Sequence, residues 1–346
     1  MKKIHINASA PYGVLVGAGL LQAAGNLLKS VCYSPRVVIV TDDVVDGLYG
    51  EALKDSLEKE NFSVLKYIIS HGENAKNFFV LKNFLNFLAE NQIHRNDTII
   101  ALGGGVVGDL AGFAAAIYLR GIAVVQIPTT LLAMVDSAIG GKTGIDLPAG
   151  KNLVGAFHQP KLVIADTDTL QTLPPQELAA GMGEVIKYGV IGKSDMLNRI
   201  GQDDLEEQIA ACIQMKADIV VRDERDQIGV REILNAGHTV GHAIEVLSHY
   251  TVPHGKAVAL GLVAEARLAT DLGLAEISTY DRICRAVKGC GLYEKLPYSA
   301  SELVQAMHSD KKNRGKRIAF ILPVEIGKYV RRELTAQQVE ELLEKQ

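Results

Sequence analysis

The sequence predicts an α/β N-terminal domain on a mainly parallel sheet over residues 1–173, joined to a mainly α-helical C-terminal domain over 174–346. Three observations predict it. Short β-branched runs alternate with helix-length amphipathic segments through the first half, the pattern of a parallel sheet covered by helices. At Leu173-Pro174-Pro175 the composition shifts to long Ala, Glu, Leu and Ile-rich segments, and a proline pair that opens a helix marks a boundary. At 346 residues the chain also exceeds the size at which a single core keeps growing.

The expected strands run over 14–16, 36–41, 63–69, 98–102, 123–127 and 162–165, each a cluster of Val, Ile, Leu, Thr or Tyr. Between them, 44–60 and 75–91 carry apolar residues at three- and four-residue spacing, as helices packed on a sheet do. From Gln176 onward helices dominate, with a small hairpin expected from 317–323 and 328–330. No internal repeat or low-complexity stretch interrupts this plan.

Hydrophobic residues at 48% and charged ones at 22% describe a globular chain and exclude extensive disorder. A formal charge of −4 provides no basic field, so nucleic acid and anionic membrane are excluded as partners and any anion site must be built locally. Cys32, Cys212, Cys284 and Cys290 are far apart and form no C-x-x-C pair, which fits reduced thiols in a cytoplasmic protein. Lys2 and Lys3 are followed by polar residues instead of an apolar signal core. No apolar run approaches the roughly 18 residues that span a bilayer.

The chemistry concentrates in Asn235-Ala236-Gly237-His238-Thr239-Val240-Gly241-His242 and in His254 twelve residues later. His238, His242, His249 and His254, four of nine histidines, fall within one short stretch, and His238 and His242 share a helix face at i and i+4. That arrangement suits a metal ion or a multiply charged substrate, and equally a set of capped or core histidines. A catalytic zinc needs three protein ligands and an open position, which one His-x-x-x-His does not supply.

The strand expected at 98–102 runs into Gly103-Gly104-Gly105-Val106-Val107-Gly108-Asp109, a G-x-G-x-x-G turn where a helix N-terminus would receive a dinucleotide pyrophosphate. Glycines there also serve tight helix–sheet packing alone. The acid usual at the end of the next strand is missing, since 123–129 ends in Gln-Ile-Pro-Thr. The domain is therefore Rossmann-like without being a standard Rossmann unit. Asp42 ends an earlier strand and could hold a ribose hydroxyl if the strand order differs.

Gly140-Gly141-Lys142-Thr143 resembles the end of a phosphate-binding P-loop, but Asp136 stands where that loop needs its first glycine. Asp136, Lys142, Thr143, Asp146, Lys151 and Asn152 lie among glycines between apolar flanks, as a ligand-lining cleft or a solvated loop would. Glu184 and Lys187 stand at i and i+3 on one apolar helix, an ordinary salt bridge by itself. With His238 and His254, Glu184 gives an oxygen–nitrogen–nitrogen set suited to catalytic zinc. Lys216, Arg231, Asn235, His242 and the Asp310-Lys311-Lys312-Asn313 turn add cationic and polar groups, which imply a small ligand carrying phosphate and carboxylate.

Gly103 to Asp109, Pro128-Thr129-Thr130-Leu131-Leu132-Ala133-Met134-Val135-Asp136-Ser137, Gly140 to Thr143, Gly150-Lys151-Asn152-Leu153, Gly183-Glu184-Val185-Ile186-Lys187-Tyr188-Gly189 and Leu234 to His242 resemble, in order and spacing, the 3-dehydroquinate synthase family of sugar-phosphate cyclases. The resemblance covers nearly the whole chain.

It implies an active site in the interdomain cleft, with Glu184, His238 and His254 as ligands of zinc or cobalt. It implies NAD held by Asp42, His71, Gly72, Glu73, Lys76, Gly105, Val106, Val107, Gly108, Asp109, Thr129, Thr130, Lys142, Lys151, Thr169, Leu170, Gln171 and Thr172. The substrate carboxylate would meet Lys216 and Arg231. Its phosphate would meet Lys142, Asn152, Asn235, His242 and Lys311 or Lys312, and Asp136 and Lys187 would hold the reacting hydroxyls. Arg120 would reach the phosphate of a neighbouring subunit, which implies a homodimer. His71 to Asn77 departs from the family only after Lys76, where serine or threonine is usual.

The reaction so implied converts 3-deoxy-D-arabino-heptulosonate 7-phosphate to 3-dehydroquinate and phosphate. It runs through transient NAD-dependent oxidation, phosphate elimination, re-reduction, ring opening and intramolecular aldol closure. Another sugar-phosphate cyclase, a metal-dependent polyol dehydrogenase or a non-catalytic ligand-sensing module are the alternatives. Net NADH production would mark the dehydrogenase, and binding without turnover the sensor.

Overall fold

The computed structural model describes residues 1–192, 194–200, 204–296, 298–309 and 317–345. The chain divides into two compact units, residues 1–173 with 209–225 and residues 174–208 with 226–346. A single cut after Leu173 therefore leaves out two further crossings, after 208 and after 225. The segment Ile209–Arg225 rejoins the first unit, and its Ile209, Cys212, Ile213, Ala217 and Val220 form a buried stripe at helical spacing.

The first unit contains, in chain order, β1 (Lys2–Ile6), β2 (Tyr12–Gly17), α1 (Ala24–Leu28), β3 (Arg36–Asp42), α2 (Asp43–Val45), α3 (Glu51–Lys59), β4 (Ser63–Ile69), α4 (Phe78–Glu90), β5 (Thr98–Gly103), α5 (Gly105–Ile117), β6 (Ala123–Pro128), β7 (Lys142–Leu147), β8 (Gly150–Phe157) and β9 (Leu162–Asp166). A seven-stranded sheet has the order β1-β2-β9-β6-β5-β3-β4, parallel throughout except for the β1–β2 pair. All six expected strands are present. The polar spacing of Lys2-Lys3-Ile4-His5-Ile6 concealed β1, in which only Ile4 and Ile6 are buried.

The side-chain period of two loads both faces of the central strands. Val38, Val40, Ile99 and Ala101 pack with Phe84 of α4 and Leu110 of α5. Val37, Ile39, Ile100 and Leu102 pack with Leu28 of α1 and with Leu53 and Leu57 of α3. The helix expected over 44–60 is present as one helical run over 43–59: Asp42 caps α2 by accepting from Val44 N and Val45 N, and a π turn over Asp46–Gly50 carries it into α3.

After β3 the chain passes outward to β4, and after β5 it passes to β6 on the opposite side. That reversal opens a crevice beyond the carboxyl ends of β3 and β5, where ligands of such sheets bind. The glycine-rich stretch from Lys142 onward is no irregular loop but the antiparallel β7–β8 hairpin. Gly144 faces Gly155 there, and a Cβ on either would overlap the opposite backbone, so the glycines that hid the strand pattern also permit the pairing.

The second unit contains α6 (Pro175–Ile191), α7 (Ser194–Arg199), the start of α8 (Leu205–Arg222), α9 (His238–Leu247), α10 (His254–Asp271), α11 (Ile277–Gly289), α12 (Ala300–Ser309), the hairpin of β10 (Arg317–Glu325) and β11 (Lys328–Thr335), and α13 (Ala336–Leu343). Pro175 opens α6 at its first turn, as expected, because that position needs no N–H donor. Most of α10 is buried.

Helices α6, α9 and α10 meet at glycines. A Cβ on Gly183 would overlap the carbonyl oxygen of Gly255, one on Gly255 that of Ala180, and one on Gly261 that of Gly237. Among the described residues no helix is long and apolar enough to cross a membrane.

Candidate active site

Each candidate metal ligand is adjacent to one of these glycines. Glu184 follows Gly183 on α6, His254 precedes Gly255 at the start of α10, and His238 follows Gly237, whose φ of 78° only glycine adopts without strain. Glu184 is 1% exposed. Its Oε1 lies 3.3 Å from His254 Nε2 and 3.7 Å from His238 Nε2, and Lys187 Nζ pairs with its Oε2.

The outer ring nitrogens fix the tautomers. His238 Nδ1–H donates to the Ala236 carbonyl at 3.1 Å, and His254 Nδ1–H donates to Glu245 Oε2 at 3.1 Å. Both Nε2 atoms are thereby directed to the side where Glu184 lies, the arrangement of metal-ligating imidazoles. The ligand atoms of Glu184, His238 and His254 lie within 4.8 Å of one another, as do those of His242, Glu245 and His254. Two imidazoles and one carboxylate fit a borderline divalent ion that retains an open position.

The two imidazoles titrate in opposite directions. Burial, helped by the nearby Lys187 and the other histidines, holds His238 well below the usual histidine range against the pull of Glu184. Burial also acts to lower His254, but its hydrogen bonds to Glu184 and Glu245 outweigh it and push the ring up to about 10. His238 is therefore ready to bind metal, whereas His254 must first lose a proton. Below about pH 10 each metal ion taken up should release one proton from His254, so affinity should fall about tenfold per pH unit as the pH drops. Zinc competition titrations at pH 6, 7 and 8 check this, and a flat profile would contradict it.

His242 lies one turn along α9, its ring centroid 5.3 Å from that of His238 and 6.1 Å from that of His254. His249 is exposed beyond the end of α9, outside both three-residue sets. Lys187 is 1% exposed, with Nζ 4.6 Å from the Tyr188 ring centroid. Arg231, also buried, and Asn235 occupy the 3-10 turn Val230–Asn235 that leads into α9.

Sequence reading missed two carboxylates here. Glu245 has no visible signal, because a turn separates it from His254. Glu265 has one: eleven residues past His254, it repeats that residue's helix face. Its carboxyl accepts from Gly237 N at 2.7 Å, Thr239 N at 3.1 Å and Val240 N at 3.3 Å, capping the start of α9, and burial pushes it up to about 8 despite these donors.

In the first unit the candidate dinucleotide residues gather at the carboxyl ends of parallel strands: Asp42 ends β3, His71, Gly72, Glu73 and Lys76 follow β4, Gly105 to Asp109 follow β5, Thr129 and Thr130 follow β6, and Thr169 to Thr172 follow β9. The strand order places Asp42 beside the glycine turn, since β3 pairs directly with β5. Asp42 also caps α2, and His71 pairs with Asp43 at 2.9 Å. Val107 and Leu170 are buried, so only their backbones are available to a ligand; Gln171 is exposed.

Lys76 is 4% exposed, and its Nζ donates to Asp109 Oδ2 and Asn152 Oδ1, both at 2.6 Å. Lys151 faces Glu73 at 3.6 Å. Lys216 donates to the Asp136 carbonyl at 2.6 Å and meets its Oδ1 at 2.9 Å. Burial pushes Asp109 up against the opposing Lys76 and Lys216 charges. Lys76→Met would take from Asp109 the cation hydrogen-bonded to it, and the first unit should lose about 3 kcal/mol, read from the denaturant midpoint.

Lys142 is exposed at the first position of β7. Arg120 is exposed in a turn where Leu119, Arg120 and Gly121 all have positive φ, at 50°, 67° and 120°. Asp310, Lys311, Lys312 and Asn313 lie outside the described residues.

Family models for the 3-dehydroquinate synthase N-terminal and C-terminal regions match residues 66–180 and 181–313. A curated 3-dehydroquinate synthase from Nostoc sp. is 40% identical over 98% of each chain. The chain belongs to the 3-dehydroquinate synthase family. Solved structures similar to this family member include 2-deoxy-scyllo-inosose synthase complexed with carbaglucose-6-phosphate, NAD+ and Co2+, with a TM-score of 0.89 and 25% identity over 99% of each chain. The 2-epi-5-epi-valiolone synthase from Streptomyces hygroscopicus, with NAD+ and Zn2+ bound, matches with a TM-score of 0.87 and 26% identity, over 96% of this chain and 95% of that one.

Proposed function

We propose that this chain is a phosphorus–oxygen lyase that converts 3-deoxy-D-arabino-heptulosonate 7-phosphate to 3-dehydroquinate and phosphate, using NAD and a divalent zinc or cobalt ion. The observation that carries the reading is the set of buried Glu184 with half-buried His238 and His254, both imidazole Nε2 atoms directed at the carboxylate. It occurs in a chain whose family kinship runs nearly its whole length. These three residues would hold the metal. When bound, the metal supplies Lewis acidity at a substrate hydroxyl and the nicotinamide supplies a reversible hydride acceptor, so that no net oxidation results.

The first unit would bind NAD across the β3–β5 crevice. Gly105 to Asp109 at the start of α5 would receive the pyrophosphate on backbone N–H groups, and Asp42 a ribose hydroxyl. Thr129, Thr130, Lys142, Lys151, Glu73, Lys76, His71, Gly72 and Thr169 to Thr172 would complete the site. Lys216 and Arg231 would hold the substrate carboxylate, and Lys142, Asn152, Asn235, His242 and Lys311 or Lys312 the phosphate. Asp136 and Lys187 would orient the reacting hydroxyls. Because Lys216 already pairs with Asp136, a substrate carboxylate would compete with Asp136 for that cation and free it to accept a proton.

A cytoplasmic homodimer belongs to the same reading. It is supported by four free cysteines and by Arg120, which the strained turn at Leu119 and Arg120 presents to solvent. The test is incubation with the heptulosonate phosphate, catalytic NAD and zinc, following phosphate release and absorbance of NADH. Phosphate release without lasting NADH is expected. Persistent NADH, or turnover only with a carboxylate-free sugar phosphate, would overturn the assignment.

A further inference from the structure

We propose that Glu245 is the positioning residue of the metal centre, holding the His254 ring so that Nε2, and not Nδ1, is offered to the metal. This inference rests on the ligand assignment above. The His254 ring is bracketed by two carboxylates, with Glu245 Oε2 at 3.1 Å from Nδ1 and Glu184 Oε1 at 3.3 Å from Nε2. A carboxylate is an acceptor only, so Nδ1 keeps its proton on Glu245, and Nε2, which faces the candidate ligand Glu184, is the nitrogen that a metal would take.

Glu245 is 5% exposed, so its carboxylate is itself held in place beside the ring. Its backbone is tied to the same task. The Glu245 carbonyl accepts from Tyr250 N at 2.8 Å and from Ser248 Oγ at 3.0 Å, so one residue anchors both the α9–α10 connection and the histidine that follows it. His238 receives the equivalent restraint from a neutral backbone carbonyl. Of these two rings, His254 is the one whose Nδ1 meets a charged partner, which raises its basicity as a ligand.

The set His242, Glu245 and His254 is close enough to be an alternative cage in which Glu245 itself ligates. The two arrangements predict different variants. In the proposed one, Glu184→Gln weakens metal binding strongly, and His242→Ala leaves affinity within about threefold of the parent because His242 is no ligand. In the alternative, His242→Ala is as damaging as loss of Glu245.

The experiment measures zinc affinity of the metal-stripped full chain by competition with a chromophoric chelator, together with the visible spectrum of the cobalt-loaded chain and the thermal midpoint of the metal-free one. Glu245→Leu should weaken zinc binding about 10- to 100-fold. Glu245→Gln retains an acceptor for Nδ1–H and should lose less, rescuing part of the effect with a metal-free midpoint near that of the parent. Both variants should keep the cobalt band pattern, since no ligand is removed. Zinc affinity of the leucine variant within about threefold of the parent, or a changed cobalt spectrum in the glutamine variant together with weakened binding in His242→Ala, overturns the proposal. A parent chain that takes up neither metal overturns the ligand assignment and this inference together.

Discussion

Replacing His238 with alanine should empty the metal centre and lower turnover by about three powers of ten, the equivalent of the several kcal/mol that Lewis-acid stabilisation supplies. His238 is the imidazole already neutral in the metal-free protein, its Nδ1–H committed to the Ala236 carbonyl. Alanine leaves one imidazole and one carboxylate, too few ligands for a catalytic zinc. NAD binding should survive, because every residue assigned to it lies in the first unit. Metal content and NAD affinity measured on one preparation separate the two effects; retained stoichiometric zinc would remove His238 from the ligand set.

Gly183→Ala should be nearly as damaging, though it touches no ligand. The added Cβ would overlap the Gly255 carbonyl, and backbone does not yield as a flexible side chain does. Overpacking of this kind costs about 1–3 kcal/mol, and the upper end is expected where two backbones meet. The strain should separate α6 from α10, moving Glu184 away from His254 and weakening zinc binding. Gly289→Ala is the control: its Cβ would meet nothing within 4 Å at the end of α11, so stability should change by less than about 0.5 kcal/mol. Denaturant midpoints and zinc titrations of both variants decide the matter, and a Gly183→Ala chain as stable and as metal-avid as the parent would contradict it.

The parallel strands were legible because residues such as Val37 to Val40 are buried on both faces and read as unbroken apolar runs. The β7–β8 hairpin was not, since its facing glycines carry no side-chain period. Sequence spacing paired His238 with His242, and their rings do lie together on α9. That Glu184 and His254 approach His238 depends on long-range packing through Gly183, Gly255, Gly237 and Gly261, which no local pattern encodes. Asp42 and the glycine turn lie about sixty residues apart, and only the strand order makes them neighbours. Glu245 stayed invisible because it acts across a turn on a single ring nitrogen.

The return of Ile209–Arg225 to the first unit governs how the protein comes off the ribosome. When Leu173 emerges, the sheet has all its strands, but Asp136 lacks Lys216, and Ser9 and Gln159 lack Glu224, until about fifty more residues have been made. Those residues include α6 and the Glu184 of the other unit. The first unit is thus finished only after the second has begun, and a fragment ending at the proline pair would be a sheet without its last helix.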